Sequence, residues 1–372
     1  MDETAIARPG SRRRGTRALV TGATGLLGSH LVEQLKALGD QVRTLVRKDS
    51  KTDFLDALGV EILRGDLTDP ASCAAAVAGV DYVFHCAAKV GDWGTWREFQ
   101  TGCLDATETL ARAAMQAGVR RFLHISSTSA YGHPSERKNP IDETAALGEN
   151  VWVLDYYTRS KVECERLLWR MAEREGLPLT VIRPSWLFGE RDRTTAPRLV
   201  GELRRGRMMI VGRGDNPLSA VYAGVVADAA ILAASDLGSR GEAYNITGQG
   251  RITQRGFLDL FADALKVPRV KKHVPYPLAF TGGFLLEIRD RLLLRQRPPR
   301  VTRYGAWLLG RHLEYSTEKA RTRLRWRPAI GYAESIERTI NWFLKEEARS
   351  ARAGQKGTLE RPGAFEVGAP GG

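Results

Sequence analysis

The stretch VTGATGLLGSH, Val20–His30, constrains this chain more than any other. Gly22, Gly25 and Gly28 stand three apart, between a short apolar run, Arg17–Thr21, and a segment whose Leu31, Val32 and Leu35 recur at helical spacing. Glycine is costly inside a helix, so three of them where a helix must begin need a physical reason. Gly39 ends that helix, and a second apolar run, Gln41–Val46, follows. Strand, glycine turn, helix and strand make a right-handed βαβ unit. In that setting Gly22 permits the sharp turn. Gly25 lets backbone N–H groups touch a pyrophosphate, and Gly28 lets the helix lie close on the strand. The helix N-terminus then offers free N–H groups and a positive dipole end to the anion. A dinucleotide site is the expectation.

The end of the second strand selects the dinucleotide. A carboxylate there would hold a ribose 2′-hydroxyl, but Val46 is followed by Arg47 and Lys48. A guanidinium can clamp a 2′-phosphate, so NADP(H) is favoured, with NAD(H) still compatible. The alternative for Arg47 is an ordinary exposed charge at a strand end.

The rhythm continues. VEILRGDLTD reads as a strand ending at Asp66-Leu67, then a helix over Pro70–Ala78. VDYVFHCAAKV ends in small residues, VRRFLHISSTSAYG in a serine cluster, and LTVIRPSWLFGE is one more strand. Alternating strands and helices predict an α/β, Rossmann-type, doubly wound parallel sheet, with ligands at the carboxyl ends of the strands. After about Glu190 the rhythm is lost. The expected layout is a Rossmann domain over 17–190 with a return segment 215–250, and a smaller C-terminal substrate-binding lobe over 191–214 and 251–348. The ends, 1–16 and 349–372, are rich in Arg, Gly, Pro and Ala and read as disordered tails.

Composition narrows the class. With 372 residues, 43% hydrophobic and 27% charged, the chain can bury a sizeable core. No apolar run reaches the roughly 18 residues of a membrane span, and the first residues carry no secretory apolar core. Cys73, Cys86, Cys103 and Cys164 lack metal-ligand spacing and read as reduced, packed thiols of a cytoplasmic protein, with no metal expected. The net charge of +13 is uneven: Arg289–Arg327 holds twelve basic and three acidic residues. Such an end suits an acidic ligand, an anionic membrane or nucleic acid, or is a solvated face.

The chemistry points to YYTRSK. Tyr157 and Lys161, four apart, share one helix face. A nearby ammonium favours phenolate, so the hydroxyl can exchange a proton with an alcohol or ketone while hydride moves at a nicotinamide. Ser126 and Ser127, about 30 residues upstream at a strand end, can hold the reacting oxygen. Alone, the Tyr/Lys pair is an ordinary surface i,i+4 pair. With the glycine turn and the serine strand it is a constellation.

These residues, with Arg183-Pro184, Tyr244-Asn245 and the KARTRLRWRP ending, resemble the extended short-chain dehydrogenase/reductase superfamily, the NAD-dependent epimerase/dehydratase family, over about 17–343. The resemblance implies a Ser127, Tyr157, Lys161 triad; Ser127 is chosen because it stands four residues before Tyr131. It implies cofactor contacts from Gly22, Thr24, Gly25, Leu26, Leu27, Gly28, Arg47, Lys48, Asp66, Leu67, Cys86, Ala87, Ala88, Lys89, Tyr157, Lys161 and Pro184. Where sugar-nucleotide dehydratases carry Asp-Glu, this chain has Thr128-Ser129, so an acid to expel water is missing. HCAAKVGDWGTW and IRPSWLFGERD look instead like the 3β-hydroxysteroid dehydrogenase branch, near 3-oxoacyl and dihydroflavonol reductases. Trp93, Trp96 and Trp186 are then candidate pocket walls, with Trp93, Ser127 and Trp186 named for substrate; plain packing is the alternative for each tryptophan.

Two positions depart from the family pattern. Cys103 occupies the usual Asn position, and Gly224-Val225 replaces an Asp-Asp helix start. The expected reaction is hydride transfer on a secondary alcohol or ketone of an apolar substrate of sterol, 3β-hydroxysteroid or 3-oxoacyl type. The rivals are a sugar-nucleotide epimerase or reductase using Arg204, Arg205 and Arg207, and a dinucleotide-binding module on nucleic acid; the catalytic set argues against the latter. Val274–Arg300, apolar first and arginine-rich after, reads as a lid over the substrate, with Phe284 and Leu285 as cover, as a peripheral membrane contact, or as plain core. A homodimer is expected.

Overall fold

A computed structural model describes residues 15–91, 93–137 and 139–359, with side chains as far as 351. The expected tails at 1–14 and 360–372 lie outside the described residues. The intervening boundaries move. Thr16 is buried and its hydroxyl donates to Asp40 at 2.7 Å, so order begins before Arg17. The last helix, Tyr332–Leu359, runs through the segment read as a tail from 349. Residues of tail-like composition extend a helix already nucleated on the core by Ile336 and Ile340.

Eleven strands are described: β1 Arg17–Thr21, β2 Gln41–Val46, β3 Glu61–Arg64, β4 Tyr82–His85, β5 Arg121–Ile125, β6 Leu179–Pro184, β7 Trp186–Phe188, β8 Ile210–Val211, β9 Ala220–Tyr222, β10 Glu242–Ile246 and β11 His273–Val274. Seven form one parallel sheet in the order β10-β6-β5-β4-β1-β2-β3. The α/β doubly wound sheet predicted from the sequence is thus present. The chain winds one way from β1 to β3 and the other way from β4 to β10, so the direction reverses between β1 and β4. In open sheets of this kind, ligands bind at such a reversal, outside the carboxyl ends of the strands.

Burial explains why these strands read as continuous apolar runs. β5 and β6 are buried at every residue, covered by helices on both faces. On one side the helices Leu26–Ala37 and Ala223–Ser235 pack together. Gly224 explains its own departure from the family pattern: a Cβ there would meet the Tyr222 ring at 2.4 Å, and its carbonyl takes the Gln34 amide at 2.8 Å. That helix starts without a side-chain cap and is held by packing instead.

The second lobe is built from helices Thr195–Arg204, Gln254–Leu265, Tyr276–Leu292 and Arg303–Gly310, with the pairs β8–β11 and β7–β9 stitched to them. The Tyr276–Leu292 helix lies on the Arg303–Gly310 helix at Gly283, where a Cβ would come within 2.8 Å of the Thr302 carbonyl carbon. This pairing brings residue 304 to the sheet's carboxyl edge.

Candidate active site

The glycine turn has the shape its sequence requires. Gly22 has φ +66°, and a Cβ there would sit 2.8 Å from the Ala87 nitrogen. A Cβ on Gly28 would lie 2.2 Å from the Gly22 carbonyl oxygen, so only glycine lets the helix approach β1. Gly25 is the N-cap of Leu26–Ala37 and offers no side-chain cap, and no carboxylate stands in the first turn. The first N–H groups of that helix therefore face outward with the positive dipole end behind them, which suits a pyrophosphate. Thr24, Gly25 and Leu26 are half-buried in an otherwise buried stretch; Leu27 points into the core, so it can serve a ligand only through its backbone.

Arg47 and Lys48 emerge exposed from β2. A third cation, absent from the sequence reading, joins them: Arg64 donates to the Lys48 carbonyl at 2.7 Å. Asp66, after β3, accepts from the Thr68 amide and hydroxyl, which hold its carboxyl below the usual range, with Arg47 adding to the effect. Leu67 follows it, half-buried. Beyond β4 the chain passes from buried His85 to half-buried Cys86, Ala87, Ala88 and Lys89. Thr21, at the end of β1, accepts from the Ala87 amide at 3.2 Å and meets His85 at 2.8 Å, which ties the two strand ends together at the reversal. Pro184 closes β6, paired with Ile246.

Ser127 begins a short 3-10 turn after β5. Its Oγ accepts from the Ser129 amide at 3.1 Å and donates to Ser129 Oγ at 3.2 Å. Ser129 Oγ in turn lies 2.9 Å from the Tyr304 hydroxyl. Ser126 faces the other way and donates to buried Glu165 at 2.6 Å. Tyr157 and Lys161 lie on the helix Tyr156–Glu175, which Asp155 caps. Lys161 is 7% exposed and donates to the Ile125 carbonyl at 3.3 Å. The Tyr157 ring meets the Tyr304 ring edge-on, 6.2 Å between centroids. Burial, and Tyr157 beside it, keep the Tyr304 phenol well above its usual value, so it stays a proton donor.

A buried network fixes this helix. Glu165, eight residues after Tyr157, binds Arg183 at 2.9 Å and Trp169 at 3.0 Å. Arg183 also donates to the Tyr131 hydroxyl at 2.7 Å, and Tyr131 donates to Asn245 at 2.8 Å. Arg183 and Asn245 thus lock the ends of β6 and β10 to the helix that carries Tyr157.

The tryptophans divide. Trp93 lies under the Arg291 guanidinium, 4.6 Å away, and donates to the Arg295 carbonyl at 2.9 Å. Trp96 stacks near Tyr156 and under Arg159. Trp186 packs on Phe257 at 5.5 Å, so its described partner is core. A crevice lined by Trp152, Leu154, Asp155, Glu287, Arg303 and Tyr304 opens beside Tyr304. Within Val274–Arg300, Phe284 turns inward beneath Arg303, whereas Leu285 is 60% exposed and turns away, which corrects its assignment as cover. Cys103 sits buried in a π-helical turn, Gln100–Asp105, with its Sγ 3.8 Å from the Lys89 carbonyl oxygen. The four cysteines are free, and no metal-ligand cluster occurs among the described residues.

A uniformly parallel sheet, a glycine turn under an uncapped helix end, a serine just after β5 and a tyrosine and a lysine on the helix Tyr156–Glu175 fit the class of dinucleotide-dependent oxidoreductases. The family model for the NAD dependent epimerase/dehydratase family matches residues 18–247. The chain belongs to that family, with NAD-dependent dehydrogenase or reductase activity as its class. It is 32% identical over 330 residues to the 2-alkyl-3-oxoalkanoate reductase of Stenotrophomonas maltophilia, covering 87% of this chain and 98% of that one. It is 30% identical over 338 residues to the mouse sterol-4-alpha-carboxylate 3-dehydrogenase (decarboxylating), covering 89% and 91%. The crystal structure of gox2253 superimposes with a TM-score of 0.75 at 27% identity, covering 90% and 99%.

Proposed function

We propose that the chain interconverts a ketone and a secondary alcohol on a large apolar substrate, of sterol or long-chain 3-oxoacyl type, with NADP(H) as the preferred dinucleotide. When bound, the nicotinamide supplies or accepts the hydride. Tyr157 gives its hydroxyl proton to the carbonyl oxygen in reduction, and takes it back in oxidation. The Lys161 ammonium stabilises the negative charge that develops on the Tyr157 oxygen. Ser127, whose Oγ the Ser129 amide holds, turns its one hydroxyl proton from Ser129 Oγ to the reacting oxygen when substrate binds.

The observation that carries this reading is the Ser127–Ser129–Tyr304 chain, which ends edge-on against Tyr157. It ends beside a small crevice lined by Trp152 and Leu154 together with Asp155, Glu287 and Arg303. Trp152 and Leu154 would favour an apolar body at about 25 cal/mol per Å² removed from water. The relatives named above, a 3-oxoalkanoate reductase and a sterol dehydrogenase, point the same way. The Arg47, Lys48 and Arg64 cluster supports a 2′-phosphate. The test is turnover of a 3β-hydroxysteroid, a long-chain 3-oxoacyl ester and a UDP-sugar, each with both dinucleotides. Turnover of an apolar substrate is expected; turnover of the UDP-sugar alone overturns the substrate class.

A further inference from the structure

We infer that the outer face of the helix Tyr276–Leu292 and the turn after it dock on an anionic lipid surface. This rests on the apolar substrate class proposed above only for its purpose, not for its evidence. Among the described residues, ten large hydrophobic side chains are exposed, and five of them crowd into this one segment: Leu278, Leu285, Leu292, Leu293 and Leu294, the last 83% exposed. Leu278, Leu285 and Leu292 are seven apart, two helical turns each, so they form one stripe along the outside. The opposite side is committed inward: Ala279, Gly283, Glu287 and Asp290 are buried.

Charge decides what covers the stripe. From 271 to 300 the only carboxylates are Glu287 and Asp290, and both are buried. The exposed charges, Lys271, Lys272, Arg289, Arg295, Arg297 and Arg300, are all positive. Arg289 and Arg295 pair with Asp290 and Arg300 with Glu202, so Lys271, Lys272 and Arg297 leave the surface beside the leucine stripe net positive, which matches a bilayer with negative headgroups, leucines among the acyl chains and cations at the phosphates. A second copy of this chain would instead bring the same positive rim against itself. The segment cannot span, since no helix among the described residues is long and apolar enough to cross a membrane.

The inner side of the same segment borders the candidate active site. Arg291 donates to the carbonyls of Gly94, at 3.3 Å, and Leu154, at 3.0 Å, and Trp93 donates to Arg295. Phe280 meets Trp152 edge-on. A helix seated on lipid would thus hold the crevice mouth at the bilayer, where an apolar substrate is concentrated.

The experiment is co-sedimentation of the full chain with vesicles of phosphatidylcholine alone and of phosphatidylcholine with phosphatidylserine. Three proteins are compared: wild type, Leu278→Ser/Leu292→Ser/Leu294→Ser, and Lys271→Glu/Lys272→Glu/Arg297→Glu. Far-ultraviolet circular dichroism and dinucleotide binding confirm that each folds. Wild type is expected to sediment with the anionic vesicles and to be released by salt. Each variant should lose about tenfold or more of that partitioning. Three results overturn the proposal: no association of wild type, undiminished association of both variants, or a wild-type dimer that ignores vesicles and that the leucine changes make monomeric. Partitioning is read without turnover, so a wrong substrate class leaves this result standing, and the reverse.

Discussion

Ser127 owes its orientation to a residue 177 positions away in the chain. Its Oγ is held by Ser129, and Ser129 by Tyr304, whose phenol stays protonated because it is buried. Tyr304→Phe keeps the ring and removes one hydroxyl. The expected outcome is a kcat several-fold to tenfold lower, about 1 kcal/mol of barrier, with dinucleotide affinity unchanged; an unchanged kcat would reduce the link to packing. Arg47 makes a separate prediction. Arg47→Ala should weaken NADPH binding by tenfold or more and leave NADH nearly untouched, because a guanidinium–phosphate contact carries roughly 1.5–3 kcal/mol. Isothermal titration of both dinucleotides checks it, and a preference that survives the change makes Arg47 a bystander. The two residues differ in legibility. Arg47 could be read from its place at a strand end. Tyr304 could not, since its site contacts arise only when a distant helix is folded over the sheet.

At the scale of elements, strands β1 and β2 could be read to the residue, because buried parallel strands are unbroken apolar runs closed by glycine or a charge. The pairs β8–β11 and β7–β9 could not, for two- and three-residue strands have no periodicity to read. The segment Val274–Arg300 is legible as amphipathic, but which face looks inward is not; that is set by Gly283 against Thr302. Two neighbouring glycines on that helix separate the effects. A Cβ at Gly282 meets nothing, so Gly282→Ala should stabilise by roughly 0.5–1 kcal/mol through helix propensity. Gly283→Ala forces the helix off the 302–303 backbone and should lower both the melting temperature and turnover. Equal melting temperatures for the two variants would show that this helix contact does not set which face looks inward.

For the whole molecule, acid is the weak direction. Burial holds His30 and His85 down to about 3, and His124 well below its usual value. Below pH 6.5 the unfolded chain takes up protons that the folded one refuses, so stability falls as pH drops from 6.5 towards 3. At pH 5 His30 and His85 each cost about 2 kcal/mol, from ~1.4 kcal/mol per pH unit, and His124 acts in the same direction. Urea midpoints should therefore fall between pH 7 and pH 5, and His85→Asn/His124→Asn should flatten the slope; equal midpoints at the two pH values would contradict the burial argument. The central claim, however, is that one tyrosine moves the proton in a dinucleotide-dependent reduction. Its most direct test is single-turnover oxidation of NADPH with a long-chain 3-oxoacyl ester, on wild type and Tyr157→Phe, beside NADPH affinity. The account predicts at least a hundredfold slower oxidation in the variant, ~2.7 kcal/mol or more of barrier, with affinity within a few-fold. A variant rate within about tenfold of wild type would contradict it.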